Sequence, residues 1–369
     1  MLISVIIPTR ERSETLYHTI KTALNQNTTS CEIVISDNYS NDNTEEVVRS
    51  FDDKRIKYVN TGKRLSMSDN WEFALSHAKG EYIIYIGDDD ACMPQGLDYL
   101  EQKIEEHKAQ AYMWITPTYL WPIDDYPAKQ LFEPQAAKSD VNLNLAKMAE
   151  FTFRHGGWKY YELPGVYHAA VARSVLDAIQ KKTGRVFHTT QPDLFTSMSI
   201  PAYTRKAVKL ALPVTIQGRS AKSNGGSSTA KDGPNHLKRY IDEFGDYKID
   251  DSLVPEVTLY GALLIDGIIK AKELADECFH GIPFNYSAMW AFLCRLKLIN
   301  RAVILKNVGL ISKRHKFSML QFIYYMSLHD IARFRRFLLD ALKSSVIDRE
   351  APDNIYDFTI KSKINFNSK

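Results

Sequence analysis

Cysteine is scarce in this chain. Its four cysteines among 369 residues, Cys31, Cys92, Cys278 and Cys294, are far apart and form no C-x-x-C pair. That excludes a zinc ribbon and a disulfide framework, and the four read as reduced, buried thiols of a cytosolic protein. Long apolar runs are also missing, so no segment of the sequence reads as a bilayer span. Met1 to Pro8 has no basic leader and is cut short by proline, which makes it a first strand and not a signal peptide. The expectation is a cytoplasmic protein, at most in peripheral contact with the inner face of a membrane. A net charge of only +3, with no nucleic-acid motif, gives no reason to expect nucleic acid as a partner. Internal repeats are absent, and low complexity is confined to one Gly/Ser/Lys-rich loop, Gln217 to Asp232.

What is present is an alternation of short apolar runs with helical patterns. Leu2–Ile7, Glu32–Ser36 and Ile56–Val59 read as strands. The helix between the first two has Ser13 as its expected N-cap and Leu16, Ile20, Ala23 and Leu24 as its buried stripe, and a second helix starts at Asp42 or Thr44. This βαβαβ rhythm implies a parallel sheet with ligands at the carboxyl ends of its strands. A further apolar run, Tyr82 to Ile86, breaks at Gly87 into Asp88, Asp89 and Asp90. Three adjacent carboxylates at a strand's carboxyl end repel one another unless a cation neutralises them, and Mg2+ or Mn2+ is the natural partner. The alternative is an acidic turn that caps the next helix.

Pro94 opens a helix over Gln95–His107, and Ala111–Ile115 is another strand. From Trp121 to Phe153, prolines interrupt the pattern, as in an insertion or flap. Gly165–Val171 and Leu212–Ile216 read as strands, and Pro192–Asp193 as a turn leading into a helix. From His236 onward the chain reads almost wholly helical. The expected division is a domain over 1–232, with a nucleotide-binding half at 1–120 and an acceptor half with flap at 121–232. A helical region follows at 233–369.

Taken in order, Val5-Ile6-Ile7-Pro8-Thr9-Arg10, Ile33 to Thr44, Asn70, and Gly80 to Asp90 resemble successive motifs of the family 2 glycosyltransferases of GT-A fold. Pro192-Asp193 and Gly218 to Gly225 resemble bacterial members that build surface polysaccharides. The resemblance implies an α/β, mainly parallel sheet flanked by helices with a helical C-terminal extension. It also implies an inverting, metal-dependent transfer from a nucleotide-diphospho-sugar donor to a glycan or lipid-linked acceptor. Carried over by residue, Pro8, Thr9 and Glu11 line the nucleotide pocket and Asp37 accepts hydrogen bonds from base or ribose. Asn70, Lys63 and Arg64 close over the nucleotide, Asp88 lies near the ribose, and Asp89 or Asp90 holds the metal. Two departures stand out. Arg10-Glu11-Arg12 replaces a common aromatic-Asn pair, and Gly87 sits where an acid or apolar residue is frequent.

The chemistry explains the residue types. Breaking a sugar–diphosphate bond builds negative charge on the leaving group, which a metal bridging the phosphates stabilises. The acceptor hydroxyl must lose a proton on the opposite face, and the residue matching the family's base is Asp193. Asp193 also reads as a helix N-cap, and Asp37 as an Asx turn. His168 and His188 are rival bases or metal ligands, though a lone histidine beside a strand is usually structural. Lys222 or Arg219 in the Gly-rich loop would reach donor phosphates, unless the loop is a linker. The C-terminal helices interleave Lys306, Lys313, Arg314, Lys316, Arg333, Arg335 and Arg336 with apolar residues, a pattern suited either to anionic lipid or to ordinary packing. A sugar nucleotidyltransferase is the first alternative, but the glycine-rich loop it would need after the first strand is absent. The second is a catalytically silent assembly protein, against which the retained acids argue.

Overall fold

The computed structural model describes residues 2–122, 127–132, 137–221, 233–274, 279–343 and 346–361. The strands in chain order are β1 (Ile3–Thr9), β2 (Cys31–Asp37), β3 (Ile56–Asn60), β4 (Tyr82–Tyr85), β5 (Ala91–Cys92), β6 (Ala111–Met113), β7 (Thr118–Leu120), β8 (Lys129–Phe132), β9 (Val141–Leu143), β10 (Ala169–Ala172), β11 (Ala207–Lys209), β12 (Thr215–Arg219) and β13 (Val346–Glu350). The helices are α1 (Ser13–Leu24), α2 (Thr44–Arg49), α3 (Met67–His77), α4 (Gly96–His107), α5 (Leu145–Arg154), α6 (Arg173–Thr183) and α7 (Pro192–Tyr203). Then follow α8 (Gly233–Asp242), α9 (Leu259–Leu274), α10 (Tyr286–Arg295), α11 (Arg301–Lys306), α12 (Val308–Arg314), α13 (Met319–Lys343) and α14 (Ile355–Lys361).

The main sheet has the order β3-β2-β1-β4-β10-β6-β11-β9. β3, β2, β1 and β4 run parallel to one another, β10 is antiparallel to β4 and β6, and β11 runs parallel to β6. Strand alternation divides the apolar residues between two faces. Ile3, Val5, Ile7, Ile33, Ile35, Ile84 and Ile86 pack under α1 and α4. Ile6, Val34, Ile83 and Tyr85 face the other way, toward α3, α6 and α7. That second core is continuous with Ile265, Trp290, Phe292 and Phe322 of α9, α10 and α13, so the regions expected as a domain and its extension share one interior.

Several expectations are corrected. Ser13 does not cap α1: its amide donates instead to Asp42 Oδ2 at 3.1 Å, and Asp42 Oδ1 accepts from the Thr44 amide at 3.1 Å, so one aspartate serves the starts of both α1 and α2. The last strand lies further along than its hydropathy implied, at Thr215–Arg219, because it pairs with β5 and β7 there. The proline-interrupted stretch contains β8 and β9, and β8 pairs with β13 near the chain's end, a strand inside the region read as helical. Lys222, Gly225 and Gly226 of the Gly-rich loop lie outside the described residues, as does Cys278. Cys31, Cys92 and Cys294 are free thiols, the first two buried.

Register brings the site together. Thr9 pairs with Asp37, and Asp37 with Asn60, while Ile6 pairs with Tyr85. The ends of β1, β2 and β4 therefore emerge side by side on one edge.

Candidate active site

The acidic turn is fastened before its side chains are considered. The Gly87 amide donates to Asp90 Oδ2 at 2.6 Å and the Asp90 amide to the Gly87 carbonyl at 3.2 Å, which closes the turn. The Thr19 hydroxyl of α1 donates to the carbonyls of Asp88 (3.0 Å) and Asp90 (2.7 Å), and the Trp121 indole to that of Asp89 (2.8 Å). Gly218 of β12 crosses so closely that a Cβ there would fall 1.7 Å from the Asp89 carbonyl oxygen. Only glycine allows this approach.

The three carboxylates are buried and have different neighbours. Asp88 Oδ2 accepts from the Thr9 hydroxyl at 2.6 Å and from Arg12 Nε at 3.1 Å, and Arg12 Nη2 lies 2.5 Å from Oδ1. Asp88, expected beside a ribose, is thus an internal anchor tying β1 to β4. Asp90 Oδ1 accepts from the Gly218 amide at 2.8 Å. Its Oδ2 takes Tyr167 Oη at 2.6 Å and lies 3.1 Å from His168 Nε2, besides the Gly87 amide. With both oxygens committed inside the fold, Asp90 is poorly placed as the expected metal ligand. Asp89 Oδ2 accepts from the Ser220 amide (3.1 Å) and hydroxyl (2.6 Å), with Arg12 Nη1 at 3.7 Å. No donor among the described residues reaches Asp89 Oδ1.

These surroundings set the charges. Burial raises the Asp88 carboxyl to about 6 even though Arg12 opposes the shift, and it raises Asp89 for the same reason. Burial acts on Asp90 too, but His168, Tyr167 and the Gly87 amide outweigh it and hold Asp90 below the usual carboxylate range. Arg12 stays charged because Asp88 and Asp89 overcome its own desolvation. The triplet is a graded set, with one ionised clamp and two carboxylates that an added cation would favour as anions.

Asp37, at the end of β2, is the second acidic centre. It accepts from Tyr58 Oη at 2.7 Å, Asn60 Nδ2 at 3.0 Å and the Ser40 amide at 3.0 Å, the last being the Asx-type turn read from the sequence. Its neighbour Asn38 clamps the Leu65 amide and carbonyl, both at 2.8 Å, and so fixes the loop that carries Lys63 and Arg64. Asn70 is buried and accepts from the Ser36 hydroxyl at 2.7 Å. Glu11, in a left-handed conformation with φ of 53°, reaches Arg64 at 3.3 Å, and Pro8 lies beside it on β1.

Asp193 stands on the first turn of α7, after Pro192 at its first position. Gln191 precedes both, so Asp193 is not the N-cap. Burial raises its carboxyl above the usual range, against the pull of the helix's first amides. Tyr167 connects the two acidic regions, because its hydroxyl bonds Asp90 and lies in the field of Asp193. His168 holds Asp90 on one nitrogen and faces the Thr215 hydroxyl at 2.8 Å with the other. His188 bonds within its own loop, to Thr183 and Arg185, and burial lowers it to about 4. Arg12, Tyr167, Ser220 and Trp121 were not singled out from the sequence, and neither was Glu243, which binds Arg10 through both oxygens at 2.8 and 2.9 Å and reaches Arg64 at 3.5 Å. The Arg12 substitution within Arg10-Glu11-Arg12 was the one visible signal.

A divalent ion fits this donor set. Mg2+ and Mn2+ take one or two carboxylate oxygens and complete their shell with phosphate and water, and Asp89 Oδ1, which no described residue engages, is a hard oxygen of that kind. Elsewhere, Glu106, His107 and Asp140 form a cluster of ligand-type groups. Lys103 already sits in it, 2.8 Å from Glu106 and 3.0 Å from Asp140, and supplies the positive charge.

Residues 4–177 match the model of a protein family described as glycosyl transferase family 2. A Campylobacter jejuni GalNAc(5)-diNAcBac-PP-undecaprenol beta-1,3-glucosyltransferase is 36% identical over 113 residues, which are 30% of this chain and 37% of that protein. The Escherichia coli UDP-Glc:alpha-D-GlcNAc-diphosphoundecaprenol beta-1,3-glucosyltransferase WfaP is 33% identical over 89 residues, or 24% of this chain and 36% of the relative. The chain thus spans just over a third of the length of these relatives. Among solved structures, S. aureus TarS 1-349 in complex with UDP-GlcNAc superposes with a TM-score of 0.50 at 14% identity, covering 90% of this chain and 92% of that one. That likeness concerns the fold, which is GT-A.

Proposed function

From the match of residues 4–177 to the glycosyl transferase family 2 model, we propose an inverting glycosyltransferase. It moves a sugar from a nucleoside-diphosphate donor to a glycan or lipid-linked acceptor in bacterial surface-polysaccharide synthesis. The observation that carries the reading is the meeting, at one sheet edge, of Asp37 and a fastened acidic turn in which no described residue donates to Asp89 Oδ1, with Tyr167 linking that turn to the buried, raised-pKa carboxylate of Asp193 on α7. Both relatives act on undecaprenol-diphosphate-linked sugars, which supports the acceptor class.

Asp37 and its Tyr58 and Asn60 partners receive the base or ribose beside Pro8 and Thr9, and Asn70 backs the end of β2 beneath them. Glu11 lines the nucleotide pocket, and Lys63 and Arg64 close over the nucleotide and its phosphates. Asp89 Oδ1 would hold Mn2+ or Mg2+, which supplies Lewis-acid stabilisation of the diphosphate leaving group. Arg12 keeps Asp88 and Asp89 from repelling each other, Asp88 locks the strand ends, and Asp90 positions Tyr167. Asp193 takes the proton of the acceptor hydroxyl as the sugar's anomeric carbon is attacked, and its raised pKa brings it nearer the working pH of a general base. None of the described helices is long and apolar enough to cross a membrane. With a nucleotide-sugar donor and a lipid-linked acceptor, the proposed reaction belongs at the cytoplasmic face of the bilayer, with the protein peripheral to it.

The test is calorimetric titration of UDP and GDP into wild-type protein and Asp89→Ala, with and without Mn2+. Metal-dependent binding that is lost in Asp89→Ala supports the reading. A folded wild type that binds neither nucleotide sinks it.

A further inference from the structure

Helix α13 has two apolar rows. Phe322, Met326 and His329 face inward and are buried. The opposite row, Leu320, Ile323, Tyr324, Ile331 and Phe334, is largely exposed: Leu320 is 81% exposed, Ile331 65% and Phe334 63%. At the edge of the inward row, Met326, His329 and Arg333, with Asp330 on the adjoining flank, help to line a cleft of about 510 Å³ formed with the end of α10 and the start of α11. Its charged wall is Arg295, Lys297, Arg301 and Arg333 against the single carboxylate of Asp330. Arg301 pairs with Asp330 at 3.0 Å, and Arg295 donates to the His329 carbonyl at 3.3 Å. Neither the Lys297 ammonium nor the Arg333 guanidinium has a hydrogen-bond or ion-pair partner among the described residues.

Two local features mark this cleft as more than a gap between helices. His329, 2% exposed, lies in its wall with neither ring nitrogen bonded to any described residue. Lys297 adopts φ of 59° in the turn that ends α10, where its amide bonds the Cys294 carbonyl and the Leu298 amide the Leu293 carbonyl. Glycine is the usual residue at such a position, because an L side chain is strained there. The strained lysine puts an ammonium group on the cleft wall.

We propose that this cleft and the outer row of α13 form a docking face for an anionic phospholipid surface. A headgroup phosphate is held by Lys297, Arg333 and Arg295, and the apolar row rests at the acyl boundary. Charge complementarity selects this occupant over a second copy of the chain, since two such faces would bring unpaired cations together, whereas an anionic leaflet neutralises them. The proposal extends the lipid-linked acceptor reading, on which it rests for its biological role. The physical site is separate from Asp89.

Co-sedimentation of the full chain with vesicles of phosphatidylcholine alone, and of phosphatidylcholine mixed with phosphatidylglycerol, tests it. The wild type is expected to bind only the mixed vesicles. Each cation near the surface contributes roughly fivefold, so Lys297→Gly with Arg333→Gln weakens binding by tenfold or more. Leu320→Asp with Ile331→Asp weakens it independently. Lys297→Gly relieves backbone strain, so the loss cannot be put down to unfolding if its melting temperature is unchanged or higher. Equal binding to both vesicle types, binding unaffected by the cation variants, or a solution dimer broken by Leu320→Asp overturns the proposal. So does inorganic phosphate binding in the cleft without vesicle binding, which would make it a site for free anions. UDP titration of the same preparations reads the donor site separately, and it is expected to be unchanged in all these variants.

Discussion

Replacing Arg12 by methionine strands a carboxylate that the fold has sealed from water. Asp88 is 0% exposed, and among the described residues its carboxylate oxygens contact only the Thr9 hydroxyl and two nitrogens of Arg12. Methionine keeps most of the side-chain length, so little of the effect arises from a cavity. Removing one partner of a buried ion pair costs about 3–5 kcal/mol, because the remaining charge is uncompensated. The sign of the pH dependence follows from Asp88, whose folded pKa of about 6 already exceeds the ordinary carboxylate value. A raised acid favours the folded state below its unfolded pKa and loses that contribution as pH rises through the folded one. Without Arg12 the folded value climbs further, so Arg12→Met should lose most stability near pH 8 and much less near pH 5, where Asp88 takes up a proton. Adding Asp88→Asn removes the stranded charge and should return the protein to within about 1–2 kcal/mol of wild type. Guanidinium unfolding in EDTA at the two pH values measures all three variants. A deficit under about 1 kcal/mol, an equal deficit at both pH values, or no rescue by Asp88→Asn would refute the account of Asp88 as a charge-compensated anchor.

Asp193→Asn is expected to lower turnover by about 10²–10⁴-fold. In the wild type, turnover should fall on acidification through a pKa above the ordinary carboxylate range, since the base must be ionised. A variant that keeps both the rate and that acid limb would remove Asp193 from the chemistry. Because burial raises its carboxyl, Asn at this position should also stabilise the fold at neutral pH and have less effect in acid, which thermal melts at two pH values will show. Gly218→Ala must push the Asp89 carbonyl aside, so it should cost about 3 kcal/mol or more and weaken Mn2+-dependent UDP binding together with stability. A variant of wild-type stability would mean that β12 does not approach the turn as closely as described.

How much of this was legible in the sequence depends on the range of the interaction that decides it. Strand and helix periodicity located β1 to β4 and their helices, because these elements are specified by neighbouring residues, and the break from Ile86 into Gly87 and three acids marked the site's centre. The last strand was placed too early, and β13 was read as helix, since both are fixed by pairing with distant partners, β5 and β7 in one case and β8 in the other. The acids themselves look equivalent in the sequence. Tertiary structure alone divides them, by giving Asp90 to Tyr167, His168 and Gly218, Asp88 to Thr9 and Arg12, and leaving one oxygen of Asp89 unengaged by any described residue. Each of those partners, apart from the turn's own amides, is brought in from a distant part of the chain, and burial converts the small differences in hydrogen bonding into large differences in charge. By itself the sequence determined which segments form the sheet edge and that carboxylates cluster there. Which carboxylate stays open, and which face of α13 stays uncovered, was decided only when separate segments competed for the same buried space.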